Sequence, residues 1–120
     1  MATRSEFSSA LKEMQSSLIQ MADTTENTLM RAVQALVDQD VAGAKKIIAK
    51  DKDINATEKH ILDSAIKLIA TQQPVAKDLR RIVTAIKISS DLERMADLSV
   101  DIANVVVRIE DQQLTGSLSI

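Results

Sequence analysis

Apolar positions recur with a helical period through three long segments of the 120-residue chain. In the first, from about Glu6 to Val37, Phe7, Leu11, Met14, Leu18, Met21, Thr25, Thr28, Ala32 and Leu36 fall on a nearly regular 4-3 spacing. That spacing turns one stripe toward a partner helix. Thr3 with Glu6 forms a capping box at its start. Asp38-Gln39-Asp40 ends it, with Asp40 placed to cap the next helix. The second segment, from about Val41 to Gln72, carries Ala44, Ile47, Asp51, Ile54, Glu58, Ile61, Ala65 and Leu68 on its stripe. Gln72-Gln73-Pro74 stops it, because the residue before a proline avoids the helical region. Pro74 then suits the first turn of the third segment.

The third segment, from about Val75 to Asp111, has an apolar face that moves. Val75, Leu79, Ile82 and Ile86 line one side. From Ile88 onward the stripe becomes Ile88, Leu92, Met95, Ile102, Val106 and Ile109, roughly opposite at 100° per residue. Such a helix is expected to touch more than its two neighbours, through a dimer or domain contact. Each helix has about 30–37 residues, near three times the usual mean of ~11. Two short connections make neighbours antiparallel. The fold class predicted is therefore all-α, an up-down-up antiparallel three-helix bundle roughly 45–55 Å long at 1.5 Å per residue. Residues 1–112 form the bundle, and 113–120, rich in Gly, Ser and Thr, form a flexible tail.

Composition narrows the function. The chain has no Cys, Trp or Tyr, one His, one Phe, two Gly and one Pro, and a net charge of -2. Disulfides, thiolate metal sites and a Cys nucleophile are excluded. So few aromatics and so little positive charge argue against nucleic-acid binding. No signal peptide is visible, and no apolar run approaches the ~18 residues of a spanning helix. The expected setting is soluble and cytoplasmic.

The polar breaks in the stripes carry the candidate chemistry. Thr25 and Thr28 interrupt helix 1, and Asp51 and Glu58 interrupt helix 2. On helix 3, Glu93, Asp97, Asp101 and Asn104 continue the line of Val75, Leu79, Ile82 and Ile86. Glu93, Asp97 and Asp101 form one ladder of like charges, which costs stability unless a cation answers it. Folding helix 2 back at residue 73 and helix 1 back at 39–40 gathers Thr25, Thr28, Asp51, Asn55, Glu93 and Asp97 into one zone. Oxygen ligands without His or Cys suit Mg²⁺, Ca²⁺, Mn²⁺ or ferric iron. A solvated acidic edge balanced by Lys87, Arg94 and Arg108 fits the same residues. Arg80 and Arg81, with Lys77 and Lys87, make a small basic patch, either a solvated face or a contact for an anion or partner. His60 lacks the Lys-Gly that follows a phosphotransfer histidine. The Glu-x-x-His of di-iron bundles is absent, which argues against a carboxylate-bridged metalloenzyme. No Ser/His/Asp set or Gly-rich phosphate loop is present.

The run TQQPVAKDLRRIVTAIKISSDLERMADLSVDIA resembles the central signature of the PhoU family. Gln73, Pro74, Asp78, Leu79 and Arg80 match its first motif. Asp91, Leu92, Glu93, Arg94 and Asp97 match its second. Upstream, AVQALVDQDVAGAKKIIAKDKDINATEKHI, with Asp51, Ile54, Asn55 and Glu58, is similar to the family's helix 1–2 region. The resemblance implies a three-helix bundle and binding of multinuclear iron, or of Mg, Mn or Ca, through Glu93 and Asp97. Asp51 and Asp101 are taken as further ligands. It implies a non-enzymatic adaptor between the ATPase subunit of a phosphate transporter and a membrane sensor histidine kinase. Such an adaptor dampens uptake and the starvation response, and is peripheral to the membrane only through its partners. Arg80, Arg81 and Arg94 are the candidate partner contacts. A helical module regulating another anion transporter, or a structural domain without metal, are the alternatives. Ala96, Leu98 and Asp101 stand where the family usually has Gly, His and Asn. The family also usually has two tandem repeats where one is seen here, so the chain is expected to be a shortened piece or a single-repeat relative. A homodimer is expected to cover the face from Ile88 to Ile109.

Overall fold

The computed structural model describes residues 4–114. They form three α-helices in the order α1 (Arg4–Asp38), α2 (Val41–Gln72) and α3 (Ala76–Leu114). The up-down-up bundle is a rod of 67 × 19 × 17 Å, longer than the 45–55 Å expected. The 39 residues of α3 span about 58 Å of it. Thr3, the expected cap of α1, and residues 115–120 of the expected tail lie outside the described residues.

The first turn is compressed into two residues. Gln39 takes a left-handed backbone, φ 55, which lets Asp40 N–H reach the Ala35 carbonyl at 2.9 Å and Gln39 N–H reach Leu36 at 3.4 Å. These bonds satisfy carbonyls that the end of α1 would leave open. Asp40 also caps α2, its Oδ1 accepting from Gly43 N–H at 3.0 Å. The cap explains the glycine, since a Cβ at residue 43 would come within 2.5 Å of Asp40 Oδ2. At the second turn Gln73 is again left-handed, φ 43, rather than extended as a residue before proline usually is. Pro74 stands just outside α3 rather than in its first turn. The Val75 carbonyl accepts the first helical bond, from Leu79 N–H at 2.9 Å.

The core is aliphatic and built of small residues. Phe7, Leu11, Met14 and Met21 of α1, Ile54, Ile61, Ala65 and Leu68 of α2, and Ile82, Ala85 and Ala96 of α3 form one cluster. Ala32, Ala35, Ala44, Ile47, Ala103 and Val106 form a second. The α1 and α2 stripes therefore turn inward as the spacing predicts. On α3 the inward line differs from the expectation. It is Asp78, Ile82, Ala85, Ser89, Leu92, Ala96, Ser99, Ala103 and Val106, one unbroken 4-3 seam. Val75 and Leu79 are exposed, as are Ile88 and Met95. Small residues let the helix axes approach closely, so alanine and serine occupy the seam and larger chains are pushed to its flanks.

One end of the rod is pinned by a buried charge. Asp78, 4% exposed, accepts from Arg4 of α1 at 3.2 Å and lies 3.8 Å from Arg81. Arg4 also stands 5.9 Å over the Phe7 ring. This contact ties the start of α1 to the start of α3, which run parallel.

Candidate functional site

Between the two apolar clusters the bundle turns polar. Thr25 is fully buried on α1 and Ser99 fully buried on α3. Ser99 bonds the Met95 carbonyl at 3.2 Å. Asp51 of α2 is half-buried beside them, against a cavity of about 70 Å³ that Thr28, Ala96 and Val100 also line. Thr25 Oγ1 and Asp51 Oδ1 are buried without a hydrogen-bond partner. The other Asp51 oxygen accepts a long bond, 3.5 Å, from Asn55 Nδ2. Thr28 turns its hydroxyl onto its own helix, donating to the Thr24 carbonyl at 2.8 Å.

From this layer an acidic ledge opens along the α2–α3 groove. Glu93 is half-buried, and its ionisation is pushed up to about 7. Partial burial is the largest cause. A hydrogen bond and the charge of Asp97 add to it, followed by the charges of Glu58 and Asp51. Every influence on Glu93 acts in the same direction, and among the described residues no ion pair involves any of the four. The structure therefore brings Asp51, Glu93 and Asp97 together, as the folding arithmetic predicts. Asp101 is exposed one turn beyond Asp97 and is not among the carboxylates acting on Glu93. Glu58 joins the ledge in its place. It stands one heptad after Asp51 and breaks the same α2 stripe, and that was the signal for it.

The donor set is all carboxylate oxygen, the chemistry of hard cations. Among the described residues no three carboxylate or imidazole groups converge as a cage for one ion. A bound cation would accordingly take carboxylates in pairs and complete its shell with water.

The basic candidates separate. Arg81 is tied to Asp78, and Arg94 forms an exposed pair with Asp91 at 3.4 Å. Arg80 is exposed and, among the described residues, takes part in no ion pair. Among the described residues no helix is long and apolar enough to cross a membrane.

This geometry has relatives. The profile described as "PhoU domain" matches residues 18–106. A Clostridium acetobutylicum protein named phosphate-specific transport system accessory protein PhoU homolog is 43% identical over 112 residues, 92% of this chain and 51% of its own length. A Rhizobium meliloti protein of the same name is 37% identical, over 96% of this chain and 48% of its own. The Escherichia coli phosphate-specific transport system accessory protein PhoU is 31% identical, over 90% and 45%. The chain thus spans about half the length of the curated relatives it matches. A profile that covers well over half of the chain, on the three-helix bundle its spacing called for, places it in the PhoU family.

Proposed function

We propose that this chain is a non-enzymatic regulatory element of phosphate uptake and of the phosphate-starvation response. Its relatives are named as accessory proteins of the phosphate-specific transport system. In this reading the rod works in the cytoplasm as an adaptor. It contacts the transporter's ATPase subunit and a sensor histidine kinase, damps both, and meets the membrane only through them.

The observation that carries the adaptor's chemistry is the unanswered charge of Asp51, Glu58, Glu93 and Asp97. Glu93 and Asp97 hold a cation as a pair on the α2–α3 ledge, with Asp51 and Glu58 facing it from α2 and Asp101 at its open end. Multinuclear iron, magnesium, manganese or calcium suits these oxygens. When bound, the cation supplies positive charge to a ledge that lacks it. The carboxylates draw α2 and α3 together around it, which couples the cation to the shape of the partner surface.

The ATPase contact is tested by titrating the chain over an immobilised ATPase subunit. Saturable binding, weakened about threefold to tenfold by Arg80→Ala, is expected for a rim charge. Absence of binding by the folded chain would overturn the adaptor reading.

A further inference from the structure

Near the first turn, α1 and α2 enclose a cavity of about 250 Å³ whose lining includes neither Glu93 nor Asp97. Ala35 and Ile47, both buried, form its floor. Arg31 of α1 and Lys46 and Lys50 of α2 line it, and all three are exposed. Among the described residues none of the three forms an ion pair. Lys46 and Lys50 stand four residues apart, where like charges on one helix repel. Arg31 adds a third positive charge from the facing helix. Lys50 also borders the smaller cavity at Asp51 and Asp53 without pairing to either. The two acids on the larger cavity are already engaged. Asp38 Oδ2 accepts from Gln34 Nε2 at 2.8 Å, and Asp40 Oδ1 accepts from Gly43 N–H at 3.0 Å as the cap of α2. Both acids stand at the turn, and the bases lie about 9–15 Å further along their helices at 1.5 Å per residue.

We propose that this cavity binds a short phosphate chain, a di- or triphosphate, held by Arg31, Lys46 and Lys50. The donor set selects the class. A carboxylate brings one charge and would leave two of the three bases unanswered. A phosphoryl group presents oxygens on several sides, so donors from two facing helices reach it at once. Arg31 supplies a planar fork for two oxygens, and the lysines supply point charges for others. Lys46 and Lys50 are about 6 Å apart along α2, a spacing that linked phosphoryl groups span better than one tetrahedral ion. Ala35 and Ile47 beneath them keep water from one side, which strengthens each charged contact. The chemistry recognised is the phosphate chain itself, free or carried by a nucleotide. The inference stands on this cavity and its three bases, and requires neither the cation nor the adaptor reading.

Calorimetric titration of the chain in chelator, at about 0.15 M salt, is the test. Tripolyphosphate binds saturably and about tenfold or more tighter than sulfate. ATP titrated in parallel separates the two sources. Tighter binding than tripolyphosphate marks a nucleotide ligand, and equal or weaker binding marks the free chain. Arg31→Gln and Lys46→Gln each weaken tripolyphosphate binding about tenfold, the loss of one charged hydrogen bond. Lys45→Gln makes the same change of net charge at an exposed residue outside the cavity, and alters binding by less than about twofold. All three substituted positions are exposed, so circular dichroism shows the parent's helicity in each variant. Sulfate binding as tightly as tripolyphosphate would reduce the cavity to a counter-ion site and overturn the proposal. So would an equal loss in Lys45→Gln, or no binding by the helical parent chain at millimolar tripolyphosphate.

Discussion

A partly buried carboxyl group set among other carboxylates ionises reluctantly, and Glu93, with its midpoint raised from 4.5 to about 7, is in that position. Between those pH values the folded chain keeps a proton that the unfolded chain has released. More protons are bound in the native state, so stability falls as pH rises through this window. In chelator, the thermal midpoint followed by circular dichroism is expected to decline from about pH 5 to about pH 8. Glu93→Gln removes the charge and flattens that decline. A profile that Glu93→Gln leaves unchanged would assign the pH dependence elsewhere. The residue scale is also where the sequence is least legible. Nothing in the local spacing separates Asp101 from Glu93 and Asp97, since all three share one ladder on α3. Only the packing of α2 against α3 puts Asp51 and Glu58 beside the first two and leaves Asp101 in solvent.

At the level of elements, the turns are the sharpest feature. Gln39 occupies a left-handed conformation that costs a residue with a Cβ roughly 1–2 kcal/mol. Gln39→Gly is expected to stabilise the bundle by about 0.5–1 kcal/mol, after the entropy a glycine loses on folding. Asp40→Ala removes the cap of α2 and costs about 1 kcal/mol. Both are read as shifts of the urea midpoint at constant slope. The Asp40 cap was legible because an aspartate directly before an apolar repeat has one favoured use. The stripes of α1 and α2 were legible for a similar reason, since most of their large apolar residues are buried, although near the end of α1 Ala35 is buried and Leu36 only half-buried. On α3 that correspondence fails. Ala85, Ser89, Ala96, Ser99 and Ala103 form the inner seam, while Ile88, Met95 and Leu98 stand outside it. A reading weighted by hydrophobicity follows the larger chains and places the face wrongly. Counting the 4-3 seam through small residues finds it.

The whole molecule is a narrow rod whose grooves differ in chemistry. Between α1 and α2 a cavity of about 350 Å³ has an apolar floor of Phe7, Met14, Ile61 and Leu68 with Glu13, His60 and Lys67 at its margin. Between α2 and α3 the groove is apolar near Leu62, Ile66 and Val83, and acidic above them. This division gives one scaffold faces of separate chemistry. It follows from heptad phase, because each helix shows one flank to each neighbour. In the proposed function the acidic ledge holds a cation rather than merely facing solvent. Its most direct measurement is the metal content of the purified, buffer-exchanged chain by elemental analysis, set against Glu93→Gln/Asp97→Asn. The parent chain is expected to retain stoichiometric metal and the double variant, equally helical, to lose most of it. Equal metal in both proteins, or none in the parent after exposure to iron, manganese, magnesium and calcium, would contradict the account.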